Sequence, residues 1–278
     1  MSRIWHVIYL AAIAASVAFA LRPAQPQADD PAQAQADPLA FQAALIQHTE
    51  NFEHVTWLGH PIWQSVPDVW TLQEAIAEIK PALVIECGTY KGGSALFMAH
   101  LFDLMGHGQV VTVDVEKLHA LSHPRVTFLI GDSVSPAIIG QIRNAAAKAG
   151  GPIMVLLDSD HSQAHVLNEM EAYGPMVTPG SYLHVQDGVI DVQPMFAHAR
   201  PGPLRAIEAF LPKHPEFEID EGKVGRFLIT HHPKGWLKRI EATVQRDRQP
   251  PKSAIIARLT PVGVDEPQPR SSSAPGFQ

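Results

Sequence analysis

Residues 83–93 read LVIECGTYKGG, and this stretch decides the fold. An apolar run holding one carboxylate, Glu86, breaks into Gly88, Gly92 and Gly93, after which Ser94 opens an apolar helical pattern. The pattern is that of a strand, a glycine turn and a helix. Glycine lacks a Cβ and tolerates positive φ, so such a turn lets backbone approach a ligand closely. The helix behind it presents free N–H groups and the positive end of its dipole. A nucleotide-like ligand is the natural occupant, with Gly88, Tyr90, Gly92 and Ser94 as its candidate contacts; a purely structural β-α turn is the alternative. The spacing, Glu-x-Gly-x-x-x-Gly-Gly, is not the G-x-G-x-x-G of dinucleotide binders. An acid at the strand end instead suits a cofactor with a cationic amino-acid end, such as S-adenosyl-L-methionine.

Downstream of this turn, strands and helices alternate. A helix is expected over 93–104, a strand over 109–113 closed by Asp114, and a strand over 126–130 closed by Gly131, Asp132 and Ser133. A helix over 136–149, a strand over 153–157 closed by Asp158, a helix over 162–177 and a strand over 182–185 ending near Asp187 follow. This βαβ rhythm predicts an α/β fold with three Rossmann-like layers, a mostly parallel sheet covered on both faces, and a ligand site beyond the carboxyl ends of its strands. A helix over 204–211 and a closing hairpin of 217–219 with 227–230 complete the domain, placed at 81–240.

Upstream, residues 4–21 form an almost continuous apolar run between Arg3 and Arg22. Its length suffices to span a bilayer, and it also fits a signal peptide with Ala18-Phe19-Ala20 as cleavage site. Arg3 favours an outside main domain, whereas a cofactor made in the cytosol requires the opposite. Segment 1–22 is therefore expected to be a retained membrane anchor with a cytoplasmic catalytic domain; cleavage would make the protein secreted or periplasmic. Residues 23–38 form a flexible linker rich in Ala, Gln, Pro and Asp. A helical, tryptophan-rich cap is expected over 39–80, with a helix from Thr71 to Ile79 opened by a Thr71/Glu74 capping box. Trp57, Trp63 and Trp70 suggest core packing, with a lid over the cofactor turn as the functional alternative. Residues 241–278, rich in Pro, Ser and Arg, are expected to be a largely disordered tail.

Composition narrows the function. With 278 residues and 46% hydrophobic content, the chain can build one sizeable core. A formal charge of −7, from 28 acids against 21 bases, argues against a nucleic-acid partner. The single cysteine, Cys87, cannot form an internal disulfide and is expected to pack as a small buried hydrophobe. The oligomeric state is not readable.

The acids at the strand ends carry the expected chemistry. Asp114 is placed to accept hydrogen bonds from the hydroxyls of a ribose, and Asp132 and Ser133 to meet an adenine. Asp158, Asp187 and the amide oxygen of Gln186 offer ligands to a hard cation such as Mg²⁺. His161, three residues past Asp158, is a candidate general base. The structural alternative makes Ser159 or Asp160 a helix cap and His161 an ordinary first-turn residue. Asp191, His198 and Arg200, in the loop over 188–203, are candidates for reading an acceptor.

The segments Trp57-Leu58-Gly59, Pro67-Asp68, IECGTYKGGSALF (85–97), VVTVDVE (110–116), IGDS (130–133) and LLDSDHS through HVQD (156–187) together resemble the cephalosporin hydroxylase and rhamnosyl O-methyltransferase family. The resemblance implies a class I S-adenosylmethionine-dependent methyltransferase fold, seven-stranded with an antiparallel last strand. It also implies that Glu86, Gly88, Asp114 and Asp132 hold the cofactor and that Asp158 and Asp187 bind Mg²⁺, as in catechol-type O-methyltransferases. The acceptor would be a hydroxyl of a small molecule or of a glycolipid sugar. Two departures stand out. Position 186, usually acidic in those enzymes, is glutamine here and should weaken the metal site; His161 stands at the spacing of their lysine base. The competing readings are a nicotinamide-dependent oxidoreductase or hydroxylase, and a membrane-tethered module without catalysis.

Overall fold

The computed structural model describes residues 38–48 and 54–241. The expected anchor, the linker up to residue 37 and the tail beyond residue 241 lie outside the described residues. In chain order the elements are α1 (Pro38–His48), β1 (Thr56–Trp57), β2 (His60–Pro61), α2 (Val66–Ile79), β3 (Leu83–Cys87), α3 (Gly93–Met105), β4 (Gln109–Asp114) and β5 (Val126–Ile130). They continue with α4 (Pro136–Lys148), β6 (Ile153–Leu157), α5 (Gln163–Tyr173), β7 (Tyr182–Val185), α6 (Pro203–Phe210), β8 (Phe217–Ile219), α7 (Glu221–Val224) and β9 (Trp236–Arg239).

Seven strands form one sheet in the order β5-β4-β3-β6-β7-β9-β8. β3 pairs in parallel with β4 and β6, and β4–β5 and β6–β7 are parallel too; β9 runs antiparallel between β7 and β8. Strand order reverses between β3 and β6, and at such a switch the helices on either side diverge and leave a crevice. β3 explains why its sequence reads as continuously apolar. Leu83, Ile85 and Cys87 join one core cluster with Ile142, Met170 and Phe210, while Val84 joins the opposite cluster with Ile76, Phe97 and Met98. Both faces are covered, so the period of two is invisible in hydrophobicity but decisive in space. Cys87 is fully buried, and burial pushes its thiol well up from the usual range.

Three expectations change. The closing hairpin pairs β8 with β9, not with 227–230, which is irregular. Trp236 and Leu237 are fully buried between two antiparallel partners, a placement set by the sheet rather than by local pattern. Helix α2 begins at Val66, after Ser65, with Pro67 in its first turn, where the missing N–H costs nothing. Thr71 therefore sits inside the helix, its hydroxyl donating to the Pro67 carbonyl at 3.0 Å, and caps nothing. Of the three tryptophans only Trp57 is packed inward, edge-on to Phe97 with its indole N–H donating to His100 at 2.9 Å; Trp63 and Trp70 are exposed. Among the described residues no helix is long and apolar enough to cross a membrane.

Candidate functional site

At the carboxyl ends of the parallel strands lies a cleft of about 1160 Å³, lined by both halves of the sheet. Its edge is made by the glycine turn between β3 and α3. Gly88 has φ +101°, and its N–H donates to the Val113 carbonyl at 2.9 Å. A Cβ there would overlap the Asp158 carbonyl oxygen, so the β3 and β6 ends approach closely because residue 88 has no side chain. Tyr90 holds a positive φ of 45°, fixed by its N–H donating to Asp114 at 2.7 Å. Its ring stacks on Trp63, with centroids 4.8 Å apart, over the same turn. Trp63 thus lines the cleft beside the turn and does not pack into the core. Gly92, with φ +78°, caps the start of α3, and Ser94 follows within its first turn; both line the cleft.

The expected cofactor acids separate into two kinds. Asp114 and Asp132 line the cleft. Asp114 accepts from the Tyr90 and Glu116 amides, and Asp132 accepts from the Val134 amide at 3.0 Å, which orients each carboxylate while leaving lone pairs for a ligand. Glu86 is different: it is 1% exposed and is not part of the cleft wall. Burial pushes its carboxyl up to about 7, against hydrogen bonds from Ser94 and Thr112, and its Oε2 has no partner. The Ser133 hydroxyl is also committed elsewhere. It donates to Glu169 and meets His165 at 3.1 Å, and Ser159 donates to the same Glu169 at 2.6 Å. Glu169 thereby ties the ends of β5 and β6 together from beneath the cleft.

On the other side of Gly88, Asp158, His161 and Asp187 bring one ligand atom each within 4.8 Å of one another. His161 Nε2 lies 3.2 Å from Asp187 Oδ2. Burial, then the nearby Asp187 and Glu86, raise the Asp158 carboxyl well above the ordinary carboxylate range. Gln186, the third expected ligand, stands behind Asp158 and does not itself line the cleft. It is 2% exposed; with its amide nitrogen turned towards Asp158 it donates to that carboxylate at 3.0 Å and to Gln64 Oε1 at 3.2 Å. Strand alternation sends Val185 and Gln186 to opposite buried faces, and only Asp187, past the strand end, reaches the cleft.

Several participants carry no sequence signal. Gln64 donates to Asp158 at 2.7 Å across 94 residues of sequence. His232 accepts the Asp187 N–H at 2.9 Å and so holds Asp187 in its left-handed conformation of φ 56°. In the 188–203 loop, the Asp191 carboxylate accepts from the Gly202 and Arg205 amides, and Arg200 donates to the Ile190 and Gln193 carbonyls. These residues shape the loop, while Val189, Ile190, Phe196 and Ala199, with Ile46 of α1, present an apolar wall to the cleft.

The model of the rhamnosyl O-methyltransferase/CmcI family matches residues 49–240. The chain belongs to this family. It is 38% identical over 190 residues to the rhamnosyl O-methyltransferase of Mycobacterium tuberculosis H37Rv, covering 66% of this chain and 78% of that one. The identity to the Mycobacterium leprae enzyme of the same name is again 38%, over 66% of this chain and 82% of the relative. A CmcI structure with Mg and SAM superposes with TM-score 0.56 at 18% identity, over 80% of this chain and 89% of that one. An apo CmcI structure gives 0.55 at 19% identity, over 69% and 78%. These two likenesses establish the Rossmann-like methyltransferase fold. As a member of the rhamnosyl O-methyltransferase/CmcI family the chain is an S-adenosylmethionine-dependent O-methyltransferase, and the glycine turn is where its family and its geometry meet.

Proposed function

We propose that the cleft holds S-adenosyl-L-methionine across the glycine turn and delivers its methyl group to a sugar hydroxyl of a small molecule or glycolipid, beside a divalent cation. The observation that carries this reading is the convergence of Asp158, His161 and Asp187 at the end of the cleft that Gly88 opens. Asp114 takes the ribose hydroxyls and Asp132 the adenine side. The backbone of Gly88, Tyr90 and Gly92, with Ser94 behind them, cradles the amino-acid end. Glu86, buried beneath the turn, adds a negative charge under the cofactor's cationic end when it is ionised. Ser133 contributes through its backbone position, its hydroxyl being held by Glu169.

The donor set fits Mg²⁺. Two carboxylates with a third polar group suit a hard cation that keeps waters, and the Asp158 carboxyl is raised first by burial and then by the facing Asp187, both of which a bound cation would offset. Asp158 and Asp187 would hold the ion, with Gln64 and Gln186 orienting Asp158 and His232 orienting Asp187. Such an ion, when bound, lowers the pKa of a hydroxyl beside it and offsets developing negative charge. His161 accepts the proton of the acceptor hydroxyl, and Asp187, 3.2 Å away, stabilises the imidazolium that results. Trp63, stacked on Tyr90, keeps water from the cofactor edge. Residues 4–21 hold the chain at a membrane, with the catalytic domain on the cytoplasmic side where the cofactor is available. The decisive assay is transfer of labelled methyl from S-adenosylmethionine to rhamnosylated glycolipids, with and without chelator. No transfer in the presence of Mg²⁺ and bound cofactor would reject a sugar acceptor of this class.

Glu86 supplies a pH test. Its carboxyl, near 4.5 when unfolded and about 7 when folded, binds more protons in the folded state between those values. Unliganded stability therefore falls as pH rises through this window, by up to about 3 kcal/mol. Affinity for the cationic cofactor runs the other way, because only the ionised form attracts it. Calorimetric titration with S-adenosylmethionine should show about tenfold tighter binding at pH 8 than at pH 6. Glu86→Gln should flatten that dependence; an unchanged dependence in the variant would remove Glu86 from cofactor recognition.

A further inference from the structure

Around the loop over 226–230 the molecule carries apolar side chains that nothing in the described structure covers. Val66 and Trp70, one turn apart on α2, are 61% and 58% exposed, Leu228 is 94% exposed, and Trp63 at the cleft mouth is 42% exposed. They form one surface because the loop is tied to α2 at both ends. Arg226 donates to both oxygens of Glu74 at 2.8 Å, and Glu74 also takes the Trp70 indole. At the other end the Thr230 hydroxyl and the His231 N–H donate to Asp68 at 2.6 and 2.9 Å. Helix α1, which exposes Phe41, is fastened to the same loop by Gln42 donating to the Thr230 carbonyl at 2.7 Å.

We propose that this face docks on a lipid bilayer, with Trp70 and Leu228 entering the interfacial layer. The chain preceding α1 identifies the occupant. The apolar run at 4–21 has bilayer length, and only residues 22–37 separate it from α1. A chain held at the membrane by that run keeps α1, and the loop fastened to it, close to the lipid surface. Tryptophan and leucine are side chains suited to that depth, and with the Trp70 indole N–H already taken by Glu74 both present apolar area to the lipid. The charges beside the patch are already paired, Arg226 with Glu74 and Lys223 with Glu78 at 2.9 Å, so insertion rather than attraction to anionic lipid drives the contact. The consequence for the reaction is positional. Trp63, Ile46 and His231 line the cleft on the side of this face, so a sugar head can enter the cleft while its lipid stays in the bilayer.

The inference rests on 4–21 as a membrane segment and not on the methyl-transfer chemistry, and one experiment separates the two. The full chain carrying Leu228→Cys is labelled with an environment-sensitive fluorophore; Cys87, fully buried, stays unlabelled. The control is Leu104→Cys, 86% exposed near the end of α3 farthest from the cleft. Phosphatidylcholine vesicles with brominated acyl chains should blue-shift and quench the probe at 228, with or without phosphatidylglycerol, and leave the probe at 104 unchanged. Adding Trp70→Glu should reduce the quenching at 228. A chain that floats with vesicles while the probe at 228 stays unquenched would overturn the docking face and keep the anchor. A chain that does not float would overturn both. A blue shift at 228 that grows with protein concentration without vesicles would assign the face to a second copy of the chain.

Discussion

Gly88→Ala is expected to lose cofactor binding by at least about a hundredfold while Gly59→Ala stays close to the parent protein. Both glycines have positive φ, +101° and +84°, so both substitutions place an alanine in backbone territory that costs about 1–2 kcal/mol. Only at 88 does the new Cβ meet another backbone: it would overlap the Asp158 carbonyl oxygen, whereas nothing lies within 4 Å of the one at 59. No rotamer can relieve a clash with main chain, so the β3 and β6 ends must move apart. That movement shifts the turn that cradles the cofactor and Asp158 together, and the added cost should exceed about 3 kcal/mol in binding or folding. Titration with S-adenosylhomocysteine, paired with thermal unfolding of both variants, measures it. Equal behaviour of the two would mean that β3 and β6 need not approach this closely.

The same turn shows what was legible in the sequence. Residues 83–93 announced a buried strand and a glycine turn because both are local: consecutive apolar residues, then glycines where φ must turn positive. Strand-end acids were legible as well, since each follows directly on an apolar run, and Asp114, Asp132, Asp158 and Asp187 do meet in one cleft. What escaped depends on distant chain. Gln64 and His232 act on residues 94 and 45 positions away, and neither sits in a pattern that local chemistry demands. Gln186 neighbours Asp187 in sequence, but Asp187 turns into the cleft past the strand end with φ 56°, while Gln186 stays buried behind Asp158 and Gln64. β9 was missed for a related reason. Trp236 and Leu237 are both buried, so no alternation marks the strand, and its edges are defined only by β7 and β8 on either side.

The roles of Asp158 and His161 predict opposite patterns in two measurements, and this is the sharpest test of the site. Asp158→Asn keeps the shape and the contact with Gln64 but removes one of the two charges that face the cation. Divalent binding, read with Mn²⁺ by electron paramagnetic resonance or calorimetry, should weaken about 10–100-fold, and turnover at ordinary Mg²⁺ should fall at least as far. His161→Ala should leave Mn²⁺ affinity within about twofold, because Asp158 and Asp187 remain, while turnover at saturating Mg²⁺ drops about 10²–10⁴-fold, the span that a lost general base produces. Raising pH should partly restore the His161→Ala rate, since hydroxide can then take the proton, but should do nothing for Asp158→Asn. If His161→Ala instead weakens Mn²⁺ as much as Asp158→Asn does, the imidazole within 4.8 Å of both carboxylates is a ligand, and the proton must leave by another route. With His161 as base, the ion rests on two carboxylates, and affinity should be low enough for Mg²⁺ concentration to control the rate. With His161 as a third ligand, the protein should favour softer divalent ions over Mg²⁺.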